Sequence, residues 1–280
     1  MAPIQVALLA GRRRSLASLL MLSELDSLRA RGVQVAAVLA VSEFRWSRLL
    51  DWYRRFGLRA IAKGLGEFGL RAAGGVDEEQ AVLREQLRRR WVSARSLPEL
   101  CRECEIPFHL VSDVNGSQSL NLLARYGCDY GIYSGAGILR QPLLDCFKHG
   151  VLNLHCGSLP EIRGMNGVEW NLFHGRDPEV TLHFIDAGID IGRILDSRQI
   201  EIEPGDRLAR LRGKTIVAGI DLLTERLPEI SCIVPRENPL KSGRQYFAMA
   251  ETLKLLINDR LAGRQQTPTA ARLEPMPQAA

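Results

Sequence analysis

Asn153 and His155 stand two residues apart at the end of the run Val151-Leu152-Asn153-Leu154-His155. In an extended strand alternate side chains share a face, so the amide and the imidazole lie side by side while Leu152 and Leu154 point the other way. Burying two such polar groups without partners is costly, and a place at the carboxyl end of a strand suits a site. A single strand histidine is more often a satisfied structural residue, so the pair alone leaves both readings open. Downstream comes the loop Gly157-Ser158-Leu159-Pro160-Glu161-Ile162-Arg163-Gly164, and then Asp190 between Gly188-Ile189 and Ile191-Gly192. Glycines this close to an acid imply a tight turn where main chain approaches something. A carboxylate there could orient His155 and stabilise its cationic form.

The elements around these residues predict an α/β chain. Pro3 to Ala10 reads as a buried strand, followed by a loop at Gly11 to Arg14 and an amphipathic helix from Ser15 to about Arg31 that Gly32 ends. Further strands are expected at Val33 to Val41, Ile106 to Val111, Tyr130 to Tyr133 and Val151 to His155, with helical patterns between them. Apolar strands alternating with helices, without the polar alternation of one-sided sheets, predict a doubly wound, mostly parallel sheet. Ligands then collect beyond the carboxyl ends of its strands. After Gly164 the pattern predicts a helix near Val168 to Phe173, strands at Val180 to Asp186 and Ile194 to Glu203, and a long helix from about Asp206 to Arg226 with Asp206 as N-cap. A domain over 1–226 is expected, then a small extension over 227–262 and a disordered tail over 263–280 rich in Pro, Ala and Gln.

The 280 residues are 46% hydrophobic and 25% charged, in the range of globular proteins. The longest uninterrupted apolar run, Val35 to Val41, is far below the roughly 20 residues of a membrane span. Six scattered cysteines fit a reducing, cytoplasmic setting better than a disulfide scaffold. Cys101 and Cys104 have redox or zinc spacing, but no second pair matches, and they fall on a short helix opened by Ser96-Leu-Pro-Glu99; no metal set is expected. The net charge of +5 is confined: between Phe44 and Arg95 there are twelve Lys or Arg and six Asp or Glu. That stretch reads as a helical insertion over 44–95, either a solvated cationic face or a docking surface for an acidic partner.

The first loop lacks a dinucleotide fingerprint. One glycine followed by Arg12, Arg13 and Arg14 cannot bring main chain up to a pyrophosphate as three spaced glycines do. The arginines could instead hold an anion with side-chain forks, or simply be solvated. Cys156, beside His155, turns to the other face of the strand, which argues against a nucleophile.

In register, Asn153-x-His155, Ser158-Leu-Pro160-x-x-Arg163-Gly164, Val180 to Asp186 and Gly188-Ile189-Asp190-Ile191-Gly192 resemble the signature of the folate-dependent formyltransferases. The resemblance is specific from about Ile106 to Arg226, loose over Pro3 to Val41 and absent from Phe44 to Arg95. It implies a Rossmann-like fold, Asn153, His155 and Asp190 as the catalytic trio, and 10-formyltetrahydrofolate as formyl donor. It further implies a pterin pocket walled by Gly137, Ile138, Leu139 and Leu144, with main chain around Asp186 and Gly188 at the pterin's polar edge. Arg163, Met165 and Asn166, with Arg12 and Arg13, fall on the acceptor side.

Two departures stand out: Ile191 replaces a Thr or other small residue, and Cys156-Gly157 replaces a common Pro-Ser pair. Family members acting on tRNA carry a C-terminal β-barrel, whereas 54 residues follow Arg226 here. The expected acceptor is therefore a small, anionic amine and not a nucleic acid, with a homodimer left open. Alternatives are a 10-formyltetrahydrofolate hydrolase and a non-catalytic folate-binding scaffold.

Overall fold

The computed structural model describes residues 2–42 and 78–264. In chain order the elements are β1 (Ile4–Ala10), α1 (Leu16–Leu22), α2 (Leu25–Ala30), β2 (Val33–Val41), α3 (Glu78–Arg89), α4 (Leu97–Glu103), β3 (Phe108–Val111), α5 (Ser117–Tyr126) and β4 (Tyr130–Ser134). There follow α6 (Gln141–Leu144), β5 (Gly150–His155), β6 (Ile162–Gly164), α7 (Gly167–Phe173), β7 (Glu179–Phe184), β8 (Ile194–Gln199), α8 (Leu208–Arg226), β9 (Arg244–Tyr246) and α9 (Glu251–Arg264). Seven strands form one sheet in the order β3-β2-β1-β4-β5-β7-β8. The first five run parallel, whereas β5 with β7 and β7 with β8 are antiparallel. The doubly wound, mostly parallel sheet predicted from the apolar strands is thus present.

Helices cover both faces, which is why the strands are apolar throughout. Val6, Leu8 and Ala10 of β1 pack toward α1, α3, α4 and α8, while Ala7 and Leu9 pack toward α5 and α6. A register irregularity against β1 lets Val35 and Val38 of β2 serve the same face despite their odd spacing. The long α8 lies close over β7 and against α3. A Cβ at Gly219 would stand 2.9 Å from Val180, and one at Gly213 2.8 Å from Val82.

Several boundaries differ from expectation. The helix expected over Ser15 to Arg31 breaks at Ser23-Glu24: the Ser23 hydroxyl bonds the Leu20 carbonyl at 2.6 Å, and the Glu24 carboxylate is drawn to Arg90 at 2.5 Å. Asp206 is not the cap of α8. It accepts from the Glu203 N–H and pairs with Lys214, and the Leu208 N–H is satisfied by Asn258 Oδ1 at 2.9 Å from α9. Ser96 makes no cap bond either; Glu99 instead accepts the Arg95 N–H.

Of the basic stretch, the described part is α3 and the turn after it; the helical pattern from Trp46 to Ile61 lies outside the described residues, as do residues 265–280 of the tail. Among the described residues no helix is long and apolar enough to cross a membrane. The stretch after α8 docks onto the domain: Met249, Ile257 and Leu261 pack against Val168, Leu172, Leu208 and Leu211, and β9 pairs with β6.

Candidate active site

The antiparallel pairing of β5 and β7 sets Asn153 opposite His183 and His155 opposite Thr181. The hairpin loop from β7 to β8 then brings Asp190 over the same face. His155 is buried, with Nε2 2.8 Å from the Ile162 carbonyl oxygen and Nδ1 3.4 Å from Asp190 Oδ2. A ring with hydrogen on both nitrogens would meet an acceptor at each. Gly157 is required beside it, because a Cβ there would lie 2.7 Å from His155 Nε2.

Asp190 adopts φ 51°, in the left-handed region that a short polar side chain tolerates better than most. Its Oδ2 accepts the Gly164 N–H at 2.8 Å, and its Oδ1 lies 3.7 Å from His183 Nε2. Asn153 Nδ2 is 3.0 Å from His183 Nε2, and His183 Nδ1 is 2.7 Å from the Phe184 carbonyl oxygen. Burial pushes His183 down to about 4, and neighbouring His155 acts in the same direction, so the ring is neutral near pH 7. Tyr133, at the end of β4, is raised by burial, receives the Gly137 N–H and feels the Asp190 charge. The structure therefore brings together Asn153, His155 and Asp190 and adds His183 and Tyr133, to which the sequence reading gave no role. The signal for His183 was its place opposite Asn153, which becomes visible once β7 is known to run antiparallel to β5.

The other expected site residues separate into two groups. Gly137 has φ 92°, Ile138 is 79% exposed and Leu139 is half-buried; Asn115 pins this loop through the Ile138 carbonyl and the Arg140 N–H. Asp186 is exposed and accepts the Ala187 N–H, and Gly188 lies under Ile191, where a Cβ would come within 2.6 Å of the isoleucine side chain. Leu144, in contrast, packs with Leu143 and Phe147 in the core of one sheet face and is 8% exposed.

Arg163 also has a different task from the one expected. It is 3% exposed, and its guanidinium bonds the carbonyls of Pro239 and Leu240. Asn166 is a structural knot before α7, accepting the Met249 N–H and donating to Glu169, whereas Met165 is exposed. Arg12 and Arg14 line a cleft of about 920 Å³ with Arg84, Arg88, Arg95 and Ser134. Arg13 is exposed and gives its carbonyl to the Leu97 N–H. A smaller cavity of about 210 Å³ contains His155, Gly164, Glu169 and Arg212, and Glu79 and Ile216 line both spaces. Burial, with the carboxylates of Glu79 and Glu169 nearby, pushes the Cys156 thiol up to about 12.

Residues 114–227, which hold Asn153, His155, His183 and Asp190, match the family model described as formyl transferase. The chain carries a domain of the formyltransferase family. It is 32% identical over 184 residues to the methionyl-tRNA formyltransferase of Geobacter sulfurreducens, covering 60% of this chain and 58% of that protein. With the methionyl-tRNA formyltransferase of Rickettsia felis it is 27% identical over 187 residues, covering 64% and 62%. The match thus spans about three fifths of the length of these curated relatives. Among solved structures, glycinamide ribonucleotide transformylase 1 from Symbiobacterium toebii superposes with TM-score 0.53 at 18% identity, covering 85% of this chain and 95% of that one. A sugar N-formyltransferase from Shewanella sp FDAARGOS_354 superposes with TM-score 0.52 at 12% identity, covering 91% and 87%. These likenesses establish the Rossmann-like formyltransferase fold. Within it the family match ends at residue 227, so the extension through α9 lies beyond the matched segment, although its Asn238 bonds the Asp190 carbonyl.

Proposed function

We propose that this protein transfers a formyl group from 10-formyltetrahydrofolate to the amine of a small acceptor, such as an amino-sugar nucleotide, an amino acid derivative or a natural-product intermediate. The observation that carries this reading is the convergence of Asn153, His155 and Asp190 at the carboxyl end of β5, inside the segment that matches the family. The acceptor nitrogen attacks the formyl carbon, a new C–N bond forms, and the carbonyl oxygen becomes an oxyanion. That charge needs donors already aimed at it. The second Nδ2 hydrogen of Asn153 is the donor within reach, and a cationic His155, whose Nδ1 faces Asp190, adds positive charge beside it. The attacking amine becomes an ammonium and loses a proton to Asp190, directly or through water; the proton is returned to the folate nitrogen as its bond to the formyl carbon breaks.

The exposed loop Gly137 to Leu139 and the turn at Asp186 to Gly188 flank the trio and are assigned to the folate. A flat heterocycle suits a slot with an apolar side at Ile138 and Leu139 and main-chain groups opposite. The arginine-lined cleft, which has Glu79 and Ile216 in common with the His155 cavity as wall residues, is assigned to the acceptor.

The test is incubation with 10-formyltetrahydrofolate and a panel of amines that includes methionyl-tRNA, the substrate in the names of the curated relatives. Products are read by mass spectrometry. A formylated small amine is the expected result. Formylated methionyl-tRNA alone would overturn the small-acceptor reading, formate in place of any formylated amine would indicate a hydrolase, and no consumption of the folate would remove the formyl-transfer assignment.

A further inference from the structure

Asp190 carries its carboxylate on left-handed main chain, with φ 51°. Next to the His183–Ile194 pair of the β7–β8 ladder, the hairpin is closed where the Phe184 N–H meets the Arg193 carbonyl at 3.0 Å and Gly192 lies flat against the Phe184 carbonyl, where a Cβ would come within 1.9 Å of the oxygen. The carbonyls of Asp190 and Gly192 both turn to one buried group from outside the matched family segment: Asn238 Nδ2 donates to each at 2.9 Å. Two carbonyl acceptors fix which end of the amide faces the loop, since an amide oxygen there would face two oxygens. Asn238 is 6% exposed, and among the described residues its Oδ1 has no donor. An amide kept at the expense of an unpartnered buried oxygen is a poor choice for stability alone.

The surrounding chain shows what the amide is tied to. Just before it, Arg236 and Ile194 exchange main-chain hydrogen bonds at 2.9 and 2.7 Å, fastening the extension to β8. Just after it, the carbonyls of Pro239 and Leu240 receive the buried Arg163 guanidinium. Arg163 immediately precedes Gly164, the residue whose N–H holds Asp190 Oδ2. The carboxylate and the main chain of Asp190 are therefore held from two sides, and the two holds are joined through the extension.

We propose that Asn238 is a positioning residue for Asp190, so that the extension after α8 is a working part of the site. The proposal rests on the formyl-transfer reading for its consequence in turnover, and its first test does not depend on turnover. The histidine Cε1–H signals of the whole protein are followed by NMR against pH in wild type, Asn238→Ala, Asn238→Ser and, as reference, Asp190→Asn. Loss of the two donors should change the pH response of the His155 signal in the same direction as Asp190→Asn does, with the single-donor Ser variant between. In the formyl-transfer assay Asn238→Ala should lower kcat on the order of ten- to a hundredfold, the scale of a misplaced catalytic group, with KM for the folate within about twofold and the pH profile of kcat displaced as in Asp190→Asn. A variant that loses thermal stability while its His155 response stays that of wild type shows a purely structural asparagine and overturns the proposal. A changed His155 response with no formyl transfer by wild type leaves the positioning role standing and removes the functional reading.

Discussion

Asn153 Nδ2 lies 3.0 Å from His183 Nε2, and this contact fixes which way the Asn153 amide faces. The Nδ1 of His183 is 2.7 Å from the Phe184 carbonyl oxygen, which can only accept. Nδ1 therefore carries the hydrogen, and in the neutral ring Nε2 is left with a lone pair. Only the NH₂ end of Asn153 can meet that lone pair, and its second hydrogen is then free to point at a reacting oxygen. A carbonyl two residues' reach away thus determines the polarity of the donor in the site, through one neutral histidine.

Replacing His183 should therefore damage catalysis without touching a substrate contact. His183→Phe removes the acceptor, frees the amide to rotate, and is expected to reduce kcat on the order of ten- to a hundredfold, the cost of lost orientation. Asn153→Ala, which removes the donor itself, should cost on the order of a hundred- to a thousandfold. His183→Gln, whose amide oxygen can accept from Asn153, should recover part of the loss. Steady-state kinetics on variants shown by circular dichroism to be folded would check this; a His183→Phe enzyme with kcat within twofold of wild type would mean that something else orients Asn153.

The same histidine makes stability depend on pH. Its value in the fold is about 4, against 6.5 as the ordinary value, and burial also lowers His109 and His174. Between those two pH values the unfolded chain binds a proton that the fold refuses. The contribution is complete above pH 6.5 and is lost as pH falls toward 4, by up to roughly 3 kcal/mol for His183 alone. Urea midpoints taken at several pH values across that window should fall toward acid in wild type and fall less in His183→Phe. Equal slopes for the two proteins would show that His183 is not the group responsible.

The two halves of the site were not equally legible in the sequence. Asn153 and His155 could be read because strand periodicity places them together from five consecutive residues. Asp190 was legible as an acid among glycines, and its close approaches are real: Gly192 and Gly164 stand where any Cβ would collide with the carbonyl oxygens of Phe184 and Tyr246. His183 was visible as a residue yet not as a partner, because its contact with Asn153 depends on the direction of β7, and local pattern carries no strand direction. Arg163 misled for a related reason. The resemblance puts it on the acceptor side, and the carbonyls of Pro239 and Leu240 that receive its guanidinium come from the extension, more than seventy residues later in the chain. Leu144 belonged to the core because the short helix α6 turns it inward with Leu143, a matter of helix phase over four residues that periodicity cannot resolve.

Thiol chemistry should leave the site untouched. Burial pushes Cys156 and Cys101 up to about 12 and Cys128 up to about 11, so almost none of their thiolate exists near neutral pH. Cys232 is exposed. Brief treatment of the native protein with iodoacetamide at pH 7.5, followed by peptide mass spectrometry, should label Cys232 well ahead of these three and leave formyl transfer unchanged. Cys156→Ala should likewise keep kcat within about threefold, the range of a modest repacking. Rapid labelling of Cys156 accompanied by loss of turnover would restore it as a nucleophile.

The arginines around the larger cleft supply the last prediction. Arg12 and Arg14 leave the end of β1 beside Ser134, and Arg84, Arg88 and Arg95 face them from α3 and the turn that follows. Gly11 makes this approach possible, since a Cβ there would stand 2.1 Å from the Gly135 carbonyl oxygen, and Ser18 bonds Ser134 across the same junction at 2.6 Å. Arg84 also bonds Gln80, and Arg88 pairs with Glu85, both on exposed helix surface where such contacts hold a side chain only weakly. Guanidinium forks that can turn toward an anion should raise the affinity of a phosphate- or carboxylate-bearing acceptor without entering the formyl chemistry. Exchanging Arg12 and Arg14 for Gln, and separately Arg84 and Arg88, should therefore raise the acceptor KM by about tenfold, the order of one lost charge-assisted hydrogen bond, while kcat and the folate KM stay near wild type. Added salt should weaken acceptor binding to wild type more steeply than to either variant, because screening removes an attraction that the variants have already lost. The further basic residues Arg54, Arg55 and Arg59 lie outside the described residues and make a third, independent variant. An acceptor KM unchanged in the first two variants, or a folate KM that rises in step with it, would show that these arginines are solvated surface or serve the fold.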